Sequence, residues 1–111
     1  MAQFDIYRIP SRGGAEFLLD LQDDLVGNLA TRVVAPLVRA EQVRLPMQTL
    51  NPRIWVSGQP YLLLTNLLAA IPVTALGEVA GTAKSQRNEI IASIDLLFAG
   101  IKSFNAERES S

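Results

Sequence analysis

Only one stretch of this chain repeats its apolar residues at helical spacing, and it comes last. Ile90, Ile91, Ile94, Leu97, Phe98 and Ile101 stand one, three or four positions apart, which lines one face of an α-helix. Gln86, Asn88, Glu89, Ser93 and Asp95 take much of the rest. Ser85 stands where an N-cap is expected, and Gly100 where a helix ends. Before Ser85 the apolar residues come in short runs cut by glycine and proline. Runs of that kind are strands, so the expected fold is mainly β (α+β), one domain covered by one C-terminal helix.

The individual runs can be placed. Residues 3–9 read as a first strand stopping at Pro10, and Pro10-Ser11-Arg12-Gly13-Gly14 as the turn into a second strand over 16–22. Residues 23–28 form a polar connection that nevertheless holds Leu25 and Val26. Residues 32–38 read as a third strand, in which Pro36 predicts an edge or a bulge because proline cannot donate to a ladder. Residues 53–56 and 61–64 flank Ser57-Gly58-Gln59-Pro60, a hairpin signal. The most apolar window, 61–76, contains Thr65, Asn66, Pro72 and Thr74 and falls short of the ~20 residues of a membrane helix. It reads as buried strand–loop–strand, with 73–78 the last short strand. The first residues carry neither the basic nor the long apolar region of a signal peptide. The expected compartment is the cytoplasm, with no membrane association.

Composition removes most small-enzyme mechanisms. The chain has no cysteine and no histidine, so disulfides, thiolate catalysis, a histidine base and cysteine- or histidine-ligated metals are all excluded. Ten Lys+Arg balance eleven Asp+Glu, which gives no strong field for nucleic acid. Phosphate-binding loops and nucleophile-elbow patterns are absent from the sequence. Asp20, Asp23 and Asp24 read as a solvated turn rather than a metal cluster. Arg32, Arg39 and Arg44 read as surface charge beside strands rather than phosphate contacts, and Trp55 as a packed or half-buried strand residue. Two features point outward: Leu25-Val26 between aspartates and Gly27, and the run Leu96-Leu97-Phe98-Ala99-Gly100-Ile101, whose neighbours cannot all face one core. The chain is therefore expected to act by gripping another protein, without cofactor or metal, and not as an enzyme.

A family resemblance runs through these pieces. Gln3-Phe4, Tyr7, Asp20-Leu21-Gln22, Asp24, Arg32, Val34, Pro36-Leu37, Leu50, Pro52, Val56 and Gly58 are followed by Pro72-Val73, Leu76-Gly77-Glu78, Asn88-Glu89-Ile90, Ile94 and Phe98-Ala99-Gly100-Ile101. In this order and spacing they resemble the CcdB-like toxins of bacterial type II toxin–antitoxin modules, over nearly the whole chain up to Ile101. The resemblance implies an SH3-like CcdB/Kid-type barrel with a small extra sheet and a C-terminal α-helix, assembled as a symmetric homodimer. Residues 1–101 would be the toxin domain and 102–111 a polar C-terminal extension. It also implies a function tied to plasmid maintenance: binding the A subunit of DNA gyrase and trapping its cleaved-DNA complex. The gyrase contacts carried over are Leu25, Val26, Asp95, Phe98, Ala99, Gly100 and Ile101. A cognate antitoxin would wrap the toxin, with Arg12 and Gly13 of the first hairpin loop among its contacts. Operator DNA would be bound only through that complex.

The chain departs from the family's pattern at Ala99, where the gyrase poisons carry tryptophan. Truncating a tryptophan hot spot to alanine commonly costs about 2 kcal/mol or more. Two other readings remain open at this level. One is a MazF/Kid-like endoribonuclease on the same barrel, with Arg32 and Asp20 as the acid–base pair. The other is a degenerate toxin kept for antitoxin binding and autoregulation of its operon.

Overall fold

A computed structural model describes residues 2–12 and 14–100. Seven strands precede the helix: β1 (Asp5–Arg12), β2 (Ala15–Asp20), β3 (Thr31–Arg39), β4 (Arg53–Val56), β5 (Gln59–Leu63), β6 (Ala69–Pro72) and β7 (Val79–Thr82), then α1 (Arg87–Ala99). The strands form one antiparallel sheet in the order β4-β5-β3-β2-β1-β7, with β6 also on β3. β4 and β7, the two ends of that order, lie against each other, so the sheet coils into a half barrel. The expected barrel with one C-terminal helix is the fold found.

The β4–β5 hairpin turns on Ser57 and Gly58, with φ of 51° and 79°. Positive φ at both central residues gives the turn whose twist matches that of the flanking strands. β1 runs on through Pro10 to Arg12, past the expected turn. Its partner β7 pairs only with residues 5–7, so Pro10 withholds no donor from that neighbour.

Pro36 lies at neither an edge nor a bulge. β3 is central, and Pro36 stands opposite Leu18 of β2. On its other side β3 pairs with β6 over residues 31–34 and with β5 over 37–39. Pro36 sits where one partner gives way to the other, and its carbonyl accepts from Leu64 N at 2.9 Å. The missing donor therefore costs no ladder bond.

Residues 73–78 are not a strand. Val73–Ala75 form a 3-10 turn, and the strands are β6 before it and β7 after it. Gly77 passes so close to β1 that a Cβ there would meet the Arg8 carbonyl oxygen.

The core joins Phe4, Ile6, Phe17, Leu19, Ala35, Leu37, Ile54 and Leu63 to Ile90 of the helix. Ser93, expected on the polar face, is fully buried. Its hydroxyl donates to Ile90 O and lies 3.0 Å from that of Thr65, in the turn after β5. This pair fastens the helix without leaving a buried polar group unmet. Ser85 does not cap the helix; it lies in a 3-10 turn, Lys84–Gln86, that leads into it. Gln86 instead turns its amide toward the edge of β4. Its Oε1 accepts from Trp55 N at 3.2 Å and its Nε2 donates to Arg53 O, as a neighbouring strand would.

Candidate functional site

The β2–β3 connection begins on a buried ion pair. Arg32 Nη2 stands 2.6 Å from Asp20 Oδ2, and both side chains are wholly buried. Arg32 Nε adds a second bond to the same oxygen at 2.9 Å. Arg32 is thus neither a surface charge nor a phosphate contact, and the pair lies out of reach of any RNA. Burial pushes the Asp20 carboxyl above its usual range, against the pull of Arg32 and of the Gln22 amide. The same surroundings push up the Tyr7 phenol, chiefly by burial and then through Asp5 and Asp20.

Above this floor the chain makes a 3-10 turn, Asp24–Val26. Asp23 caps it, its Oδ1 accepting from Leu25 N at 2.8 Å, and Asp24 Oδ1 accepts from Gln3 N at 2.8 Å. Asp20 and Asp24 both lie within reach of Arg32, at 2.6 and 3.8 Å, while Asp23 serves the turn itself. No group of residues placed to hold a metal occurs among the described residues. The turn lifts its apolar residues outward: Leu25 is 92% exposed, Leu29 55% and Val26 46%. An apolar side chain held in water recovers about 1.5–3 kcal/mol when a partner buries it.

The second group of sequence-predicted residues sits at the end of α1. Ile90, Ser93 and Ile94 face the barrel, while Asp95, Phe98, Ala99 and Gly100 are exposed, Phe98 to 70%. Gly100 closes the helix in the left-handed conformation, φ 65°, and its N–H donates to Leu96 O. Arg87, at the other end of α1, lies over the Phe4 ring and reaches Gln3, which also meets Asp24. So the Leu25 turn stands beside the start of the helix. Phe98 lies eleven residues further along, a rise of about 16 Å. The two exposed apolar groups are therefore separate, one beside the start of the helix and one at its end.

Of the remaining expectations, Arg12 ends β1 opposite Ala15, whereas Gly13, Ile101 and the extension 102–111 lie outside the described residues. Arg39 stacks on Tyr61 and pairs with Glu16 at 3.6 Å. Sequence reasoning missed a groove of about 510 Å3 between α1 and β4, lined by Gln48, Arg53, Trp55, Gln86 and Glu89 among others. Its one signal was Trp55, which is 52% exposed. No described helix is long and apolar enough to cross a membrane.

The family model of the CcdB protein matches residues 3–100. The chain belongs to the CcdB family. Solved structures share its fold. An endoribonuclease in complex with its cognate antitoxin, from a mycobacterial species, is 16% identical with a TM-score of 0.72, over 87% of this chain and 93% of that one. An Mtb toxin is 21% identical with a TM-score of 0.67, over 84% and 99%. The Mycobacterium tuberculosis toxin MazF-mt6 is 26% identical with a TM-score of 0.61, over 85% and 95%. Family and neighbours together make this CcdB-family chain a toxin of the toxin–antitoxin class. They also overturn one expectation. The chain was expected not to be an enzyme, yet an endoribonuclease is built on this same fold. Lack of histidine and cysteine was too weak a ground, because Arg, Asp, Glu and Thr remain available for acid–base work.

Proposed function

We propose that this CcdB-family toxin acts on DNA gyrase. In this reading a symmetric homodimer binds the A subunit and traps the cleaved-DNA complex in the cytoplasm. A cognate antitoxin holds the toxin in check, engages the first hairpin near Arg12 and Gly13, and carries the complex to operator DNA. The observation that supports the reading is the pair of exposed apolar points, Leu25-Val26 and Phe98. They stand at positions which the resemblance assigns to gyrase contact, on a chain whose charge is nearly balanced. Surfaces of this kind bind by burying a few anchors. Ala99 takes one anchor away, so the toxin is a weakened one.

A growth assay tests it. Expression without antitoxin is expected to arrest growth, and Gly100→Arg or Ile101→Lys is expected to relieve the arrest. Arrest that persists in both variants contradicts the reading. A second reading, RNA cleavage, is favoured by the endoribonuclease of the same fold. Residues other than the buried Asp20–Arg32 pair would have to do that work. Total RNA isolated after induction separates the two: cleaved RNA supports the second reading, and intact RNA removes it.

A further inference from the structure

Every residue from 23 to 30 is exposed. The loop that carries Leu25 and Val26 therefore has no apolar anchor of its own, and its position is set by polar links to the body. At its outer end Ala30 O accepts from Val73 N at 2.9 Å. Nearer the tip, Asp24 Oδ1 accepts from Gln3 N at 2.8 Å, and the remaining links converge on two side chains. Gln22 Nε2 donates to Val26 O at 2.8 Å, while its Oε1 accepts from Val33 N of β3 at 3.0 Å. One amide thus ties the tip to the sheet. Arg32, locked to Asp20, donates to Gln22 O at 3.3 Å and reaches Asp24 Oδ1 at 3.8 Å. Its remaining nitrogen, Nη1, has no hydrogen-bond partner among the described residues. That nitrogen lies 3.5 Å from where a Cβ on Gly27 would stand, and Asp24 O only 3.1 Å from it. The loop passes close over the guanidinium, and the tighter neighbour at Gly27 is the turn's own Asp24 carbonyl.

We propose that Gln22 and Arg32 are positioning residues of the partner-binding surface: their polar groups fix the attitude in which Leu25 and Val26 meet the target. The target in question rests on the gyrase reading above; the positioning itself does not. A loop held this way loses little freedom on binding, which lowers the cost of association. Gly27 bears on the same turn, because a Cβ there would stand 3.1 Å from the Asp24 carbonyl and the turn would have to shift by a few tenths of an ångström.

The test is Gln22→Glu in the full chain. It keeps an acceptor for Val33 N and removes the donor to Val26 O. Ile54→Val, in the fully buried core, is the control for general loss of stability. Two quantities are read: amide hydrogen exchange at Val26 and Gly27, and affinity for the gyrase A dimerisation fragment. In Gln22→Glu, exchange is expected to quicken and affinity to fall, each on the order of tenfold, while Ile54→Val changes neither. Unchanged exchange overturns the proposal. So does faster exchange with undiminished affinity. If the parent chain does not bind the fragment, the gyrase reading fails, and exchange alone then decides the positioning. Should Gln22→Glu fail to fold, Gly27→Ala serves: its φ of −70° suits alanine, and the same loosening is expected.

Discussion

Arg32→Met should be among the most damaging single changes available to this chain. It removes a guanidinium that is wholly buried and leaves the Asp20 carboxylate, also wholly buried, with the Gln22 N–H at 3.0 Å as its remaining hydrogen bond. Removing one partner of a buried pair typically costs about 3–5 kcal/mol, because the other charge stays behind in a poor dielectric. A domain of this size has about 5–15 kcal/mol in all. At about 4–8 °C per kcal/mol, the melting temperature should fall by at least ~12 °C. Adding Asp20→Leu to Arg32→Met removes the stranded charge. The double variant should be more stable than Arg32→Met alone, still about 1–3 kcal/mol below the parent because Gln22 loses bonds on both sides. Urea unfolding followed by circular dichroism, at one fixed protein concentration, measures all three. The sign of the pH dependence adds a check. Burial raises the folded-state value of Asp20 above its usual 3.8, so the folded chain holds this proton more readily. Its share of stability falls as pH rises from about 3.8 to the raised value, and is level beyond. Without Arg32 the value rises further, so the deficit of Arg32→Met should be smaller near pH 4 than at pH 7. A single variant within about 1 kcal/mol of the parent, or a double variant costing the sum of both singles, would refute the reasoning.

Other expectations follow from the same structure. Leu25→Ala removes a side chain that is 92% exposed, so unfolding free energy should move by less than about 0.5 kcal/mol; growth arrest should nevertheless weaken, read by colony counts after induction. Gly77→Ala drives a Cβ into the Arg8 carbonyl and should destabilise by about 2 kcal/mol or more, visible as a lower urea midpoint. Both tyrosines are raised above 10.0, Tyr7 chiefly by burial and Tyr61 by burial and then its bond with Glu16. The unfolded chain therefore binds fewer protons near and above pH 10, and stability should fall as pH climbs through that region, with tyrosinate absorbance appearing at higher pH than in the urea-unfolded chain.

Much of this fold could be read from residue order, and the exceptions have physical causes. The Ser57-Gly58 turn and the Ile90–Ile94 face are local patterns, and both were legible. Pro36 in a central strand was not, because its tolerance depends on β5 and β6 sharing one side of β3, a fact of tertiary pairing. Strand β6 hid inside a run of leucines and alanines with no alternation to mark it. Ser93 looks polar on a helical wheel and is buried because Thr65 meets it from another element. The exposed Leu25 and Phe98 were flagged by apolar residues in places a core cannot reach. The support beneath Leu25 was invisible: Asp20 and Arg32 are twelve positions apart, and nothing in their spacing distinguishes a buried pair from two surface charges.

The most direct measurement is a titration of the purified protein against the gyrase A dimerisation fragment, with an Ala99→Trp variant alongside. The account predicts measurable binding by the parent chain and binding about 30-fold tighter by Ala99→Trp, the factor that ~2 kcal/mol represents. Binding by neither protein would contradict the claim that gyrase is the target and would turn the search toward RNA.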